Sequence, residues 1–123
     1  MTNSMIYQRL FDELAQYLPP VWGKLVVYLE YGEASYSFSF YVKTNKGYVK
    51  CFDLPHVDES KIMSTFAEID EIIAPEREKE TQKWSSMTMI VQNSGEMHTD
   101  FDYSDLSEGT YSYKKAWKEK YLN

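Results

Sequence analysis

The sequence predicts an α+β fold: a single antiparallel sheet of about five strands with helices packed on one face, in the order α-βββ-α-ββ-α. Three observations carry this expectation. The spacing of apolar residues switches between three-and-four and two along the chain, marking helices and strands in turn. The strand-like runs are joined by turn-length connections, which exclude parallel crossovers. With 123 residues, 43% of them hydrophobic and 16% aromatic, the chain can build one core but not two, so residues 1–123 are expected to form one domain.

The elements follow in order. Ile6, Leu10, Leu14, Tyr17 and Leu18 share one helical face until Pro19-Pro20 stops the helix. After Gly23 the period becomes two, with Leu25, Val27, Leu29 and Tyr31 opposite Lys24, Val26, Tyr28 and Glu30. Residues 35–42 set Tyr36, Phe38, Phe40 and Val42 against Ser35, Ser37, Ser39 and Tyr41, the pattern of a strand with one wet face. Turns at 32–34 and 44–47 make a three-stranded meander closed by residues 48–52. A second helix starts at the N-cap Asp58 and places Ile62, Phe66, Ile69 and Ile73 on one side. Pro75 either ends or kinks that helix, or opens a further one toward Lys83. Met87, Met89 and Val91, the turn Asn93-Ser94-Gly95, then Met97, Thr99, Phe101 and Tyr103 form a second hairpin. Residues 111–122 close the chain as an amphipathic helix, with Tyr113, Trp117 and Tyr121 four apart and Lys114, Lys115, Lys118 and Lys120 toward its C-terminal end. Leu14, Phe38, Phe66, Trp22 and Trp117 are expected in the core, and Tyr41 and Tyr103 on exposed contact surfaces.

Charge narrows the function classes. Thirteen Lys and Arg against nineteen Asp and Glu give a net charge of −6, the wrong sign for direct nucleic-acid binding but suited to a basic partner. Eleven Tyr among the hydrophobic residues supply rings with polar tips, which belong at core margins and contact surfaces. The one cysteine, Cys51, excludes an internal disulfide and a Cys-based metal site, and its place in an aromatic strand reads as a small buried hydrophobe. No basic-then-apolar leader and no run of about 18 apolar residues occurs, so the cytoplasm is the expected location and no membrane is involved.

The strongest local signal is in the second hairpin. Glu96, His98, Asp100 and Asp102 alternate with the apolar set and stand together on the other face, and Asp105 and Glu108 extend the acidity. Residues 93–108 hold these five acids and no Lys or Arg. Two readings stay open: a solvated outer face, or a surface that imitates a phosphate backbone and binds a basic protein, with Tyr103 as aromatic anchor. His98, Asp100 and Asp102 could in principle ligate a metal, but neither they nor His56, a loop residue, fits a metal-binding motif, so no metal and no cofactor are expected. Adjacent strand carboxylates offer no pocket to drive their pKa values apart, and no Gly-rich loop, nucleophile elbow or Cys-His pair is present. Catalysis is therefore not expected.

The tail adds a resemblance. Phe101-Asp102-Tyr103-Ser104-Asp105-Leu106-Ser107, followed by Trp117-Lys118-Glu119-Lys120-Tyr121-Leu122, resembles the close of the YezG-like family of immunity proteins. That family shares an aromatic-Asp-Tyr-x-Asp pattern and a terminal Trp then Lys-Tyr-Leu. Pro20-Val21-Trp22-Gly23-Lys24 resembles its Pro-x-x-Trp lead-in to the first strand, and Trp84-Ser85-Ser86 its Trp-Thr step. Pro75 and the final Asn123 depart from the pattern. The resemblance implies a cytoplasmic antitoxin that neutralises a cognate secreted or contact-delivered bacterial toxin, commonly a nuclease. On this reading Glu96, His98, Asp100, Asp102, Tyr103, Asp105 and Glu108 cover a basic active-site or substrate-binding surface of the toxin domain. The alternative is a non-catalytic adaptor or regulatory module whose Tyr-rich sheet binds a peptide or a second copy.

Overall fold

A computed structural model describes residues 4–55, 57–107 and 109–123. It contains α1 (Ser4–Ala15), β1 (Lys24–Tyr31), β2 (Tyr36–Thr44), β3 (Gly47–Lys50), α2 (Glu59–Glu78), β4 (Ser86–Gln92), β5 (Met97–Asp102) and α3 (Tyr111–Tyr121), with a short 3-10 turn at Cys51–Asp53. The five strands form one antiparallel sheet in the order β3-β2-β1-β4-β5. The α+β class and the order of elements are those expected from the sequence.

The strand faces sort as the alternation requires. Leu25, Val27 and Leu29 of β1, Phe38, Phe40 and Val42 of β2, and Met87, Met89 and Val91 of β4 join Leu10, Leu14, Ile62, Phe66, Ile69 and Ile73 in the main core. Phe66 reaches the sheet with its ring near Phe38 and Phe40, at 6.0 and 6.2 Å between centroids. Tyr17 stacks on Phe40 and shares a 2.7 Å hydrogen bond with Thr65, which satisfies two hydroxyls inside the layer.

The other sheet face differs from the expectation of a wet surface with all helices on the opposite side. Val26, Tyr28, Tyr41 and Trp117 form a second, separate buried cluster. So α1 and α2 cover one face, as expected, while α3 lies across the other. Tyr41 is consequently buried rather than exposed, under the Trp117 ring 5.7 Å away. The cause is β1 itself, whose residues 25–29 are buried without alternation, so each face of the central strand needs a cover.

Three local details refine the sequence reading. Asp58 caps α2, its carboxylate accepting from the Ser60 and Lys61 amides at 2.9 and 3.4 Å. The helix runs through Pro75 without a break, although an interior proline costs about 3 kcal/mol or more. What carries it onward is Arg77, one residue from the end. Its Nε donates to the Trp84 carbonyl at 2.7 Å, and its guanidinium lies 4.9 Å from the Tyr31 ring and 5.5 Å from the Trp84 ring. Cys51 sits in the 3-10 turn rather than in a strand, and burial pushes its thiol pKa up, consistent with an inert hydrophobe. Trp22 is only half-buried, against Phe11. Among the described residues no helix is long and apolar enough to cross a membrane.

The two covers predict two independent core contributions. Phe66→Ala, on the α2 side, and Trp117→Ala, on the α3 side, should each lower the unfolding free energy by about 3–5 kcal/mol in urea titration. A loss of only a few tenths of a kcal/mol for either would mean that its ring is not a core ring.

Candidate functional site: the acidic edge and the third helix

The acidic row of β5 is aligned with a row of hydroxyls on β4. Register pairs Asp102 with Ser86, Asp100 with Thr88 and His98 with Ile90. Ser86 and Thr88 are buried, and buried hydroxyls need partners. Those partners come from α3, whose Tyr113, Trp117 and Tyr121 succeed one another at helical i, i+4 spacing on the face turned to the sheet.

Each of the three rings docks by its body and bonds by its tip. The Trp117 indole Nε1 donates to Thr88 Oγ1 at 2.8 Å while its ring lies 4.9 Å from Tyr28. The Tyr113 hydroxyl donates to Asp102 Oδ2 at 3.0 Å and meets Ser86 Oγ at 2.6 Å. Since Tyr113 has one proton and gives it to the carboxylate, Ser86 is the donor in the second bond. The Tyr121 hydroxyl donates to Asp100 Oδ2 at 2.8 Å. A cleft of about 290 Å³ runs along this seam, lined by both carboxylates, the two hydroxyls and the α3 rings.

The remaining oxygens of the two aspartates are engaged as well. Asp100 Oδ1 takes a bond of 2.8 Å from His98 Nε2, and Asp102 Oδ1 accepts from the Ser104 amide and hydroxyl at 2.8 and 2.6 Å. For Asp100, burial pushes the pKa up, but the bonds from Tyr121 and His98 outweigh it and hold the carboxyl below the ordinary 3.8. The Ser104 hydroxyl and amide, together with Tyr113, hold Asp102 below it too, against a smaller opposing effect of burial. On the helix side, burial and then the Asp100 bond raise the Tyr121 pKa, and burial raises that of Tyr113. Aspartates therefore stay ionised and tyrosines stay protonated, the pairing that each hydrogen bond needs.

The residues expected on this surface divide into two sets. Asp100 and Asp102 are half-buried docking residues for α3. Glu96, His98, Tyr103 and Asp105 are exposed, Tyr103 at 49% and the His98 side chain at 66%. Asp105 forms its own turn by accepting from the Ser107 amide at 2.9 Å, and the bonds from Ser107 lower its pKa. Glu108, also expected here, and His56 lie outside the described residues. Among the described residues no group of three His, Cys, Asp or Glu side chains is arranged to hold a metal ion.

Sequence reasoning missed Ser86, Thr88, Tyr113 and Tyr121 as partners of the acidic row. A signal was present: two hydroxyl residues two apart in the first half of a strand, and an end helix whose apolar stripe carries three rings with polar tips.

The seam should be pH-bounded. The unfolded Asp side chains take up protons near the ordinary 3.8, above their folded values, so their stabilisation is full above that pH and lost as pH falls through the lower folded values. The tyrosines titrate above the ordinary 10.0, so their contribution is full below pH 10 and lost as pH climbs through the raised values. Thermal melting of wild type against the Tyr121→Phe and Asp100→Asn variants should show a stability gap that is constant at neutral pH and narrows on both flanks. A gap unchanged down to pH 2 would contradict an ionised seam.

Comparison with known proteins completes the site. The family model described as "Immunity protein YezG-like" matches residues 3–123. The curated immunity protein YezG of Bacillus subtilis (strain 168) is 26% identical over 110 residues, covering 82% of this chain and 73% of that protein.

Proposed function

The chain belongs to the YezG-like immunity protein family, and from that premise we propose that it neutralises its toxin by stoichiometric binding, with the acidic edge of the sheet as the docking surface. The family supplies the immunity role and implies a cognate toxin. The partner that best suits this edge is a basic nuclease domain, whose phosphate-binding groove would meet carboxylates in place of substrate.

The observation that carries this reading is the state of Asp100 and Asp102. Both are held ionised on an outer strand by bonds that fix their position, so the negative potential of the edge is built in before any partner arrives. Glu96 and Asp105 extend it into solvent, and Tyr103 adds an exposed ring beside them. His98 stands at the rim, hydrogen-bonded to Asp100. The division of labour differs from that of a uniform acidic face. Asp100 and Asp102 position α3 and set the field, and Glu96, Tyr103 and Asp105 make the contact.

A charge reversal can separate contact from stability. Glu96→Lys with Asp105→Lys changes only exposed positions, so the melting temperature should stay near wild type while association with the toxin domain slows by about tenfold or more, with a weaker dependence on salt. Asp100→Lys with Asp102→Lys should instead lower the melting temperature, because it strips α3 of two acceptors. An unchanged association rate in the folded Glu96→Lys, Asp105→Lys variant would place the contact elsewhere, the acids Glu68, Asp70 and Glu71 of α2 coming next.

A further inference from the structure

On the far flank of α3 the charge changes sign. Lys24 of β1 and Lys43 of β2 are direct cross-strand partners, an arrangement of like charges that costs stability. Both share the sheet face of Tyr41. Lys50 of β3 stands opposite Tyr41 on that same face, and Lys118 approaches from α3, so that Lys43, Lys50 and Lys118 line one shallow groove with Tyr41 and Tyr48. Lys50 and Lys118 also border a smaller recess of about 260 Å³ that holds Ser37, Ser39 and Lys114.

Very little within the chain neutralises this group. Lys114 reaches Glu30 at 3.9 Å, and Lys43 lies 5.6 Å from the Tyr48 ring. Among the described residues, Lys24, Lys43, Lys50 and Lys118 make no ion pair, although Asp53 and Glu119 border the same groove.

We propose that this groove is a second binding surface, and that its occupant is a short acidic segment of a protein partner, with Asp or Glu carboxylates paired to Lys43, Lys50 and Lys118. Charge complementarity selects an anion, in a chain whose net charge is −6. A polynucleotide is the poorer fit, because a continuous phosphate chain leaving the groove across α3 would run onto Asp100 and Asp102. A peptide can confine its charge to the groove. This surface is distinct from the acidic edge, and its test uses no toxin, so either proposal can fail alone.

The test is an NMR titration of the full chain at low salt with a capped peptide of alternating Asp and Gly, beside single-stranded oligothymidylate of equal charge. The peptide should shift the amide signals of Lys43, Tyr48, Lys50 and Lys118 and leave Lys61 and Lys79 on α2 and beyond unmoved. Lys50→Glu with Lys118→Glu should weaken it by at least about tenfold, and Lys61→Glu should have no effect. Unchanged binding by the Lys50→Glu, Lys118→Glu variant, shifts spread over all lysines, or tighter binding of the oligonucleotide than of the peptide would each overturn the proposal.

Discussion

The central strand β1 has no face that water can keep. Its five residues from Leu25 to Leu29 are all buried, with Leu25, Val27 and Leu29 in one cluster and Val26 and Tyr28 in the other. An antiparallel sheet built on such a strand must be covered twice, because leaving Val26 and Tyr28 in water would forfeit about 1.5–3 kcal/mol for each large side chain. The first cover is the α1-α2 layer, an aliphatic and aromatic packing in which few polar groups take part. The second is α3, a helix of eleven residues too short to be stable alone in water. Its position therefore depends on tertiary bonds, and those are made by the tips of Tyr113, Trp117 and Tyr121.

That dependence ties stability to the charge of the surface. The acceptors for two of the three tips are Asp100 and Asp102, so the carboxylates that give the β5 edge its potential also hold the second cover in place. A network of this kind is sensitive to partial loss, since removing one partner leaves a buried hydroxyl unsatisfied. It also fixes the carboxylates before binding, which reduces the side-chain ordering that a complex must impose. On the other side of the same helix the lysines stand largely unpaired. The short helix thus separates two flanks of opposite sign, and a protein partner lying across it would be oriented as well as held.

Much of the fold was legible from residue spacing. The period-two runs gave the strands, the period-three-and-four runs gave the helices, and Asp58 marked the start of α2. The second cover was not read because Ser35, Ser37 and Ser39 suggested a wet face for the whole sheet, whereas Val26, Tyr28 and Tyr41 on that face needed burial. Alternation tells which residues share a side; it does not tell which side a distant helix will take. Continuity through Pro75 was equally out of reach, because it rests on Arg77 meeting Trp84 and Tyr31, contacts that only the folded chain brings together. At the candidate site His98, Asp100 and Asp102 share one face of β5, as their alternation requires. The use of the carboxylate oxygens was not legible, since two of the donors, Tyr113 and Tyr121, come from α3 beyond the loop.

The central claim is that the β5 edge beside α3 is where the toxin docks. Hydrogen exchange on the chain, free and saturated with its cognate toxin domain, addresses it most directly. The account predicts added protection over residues 96–107 and in the β5-facing turns of α3, with the outer face of α1 and α2 unchanged. Protection confined to α1 and α2, with the β5 edge exchanging as in the free chain, would contradict it.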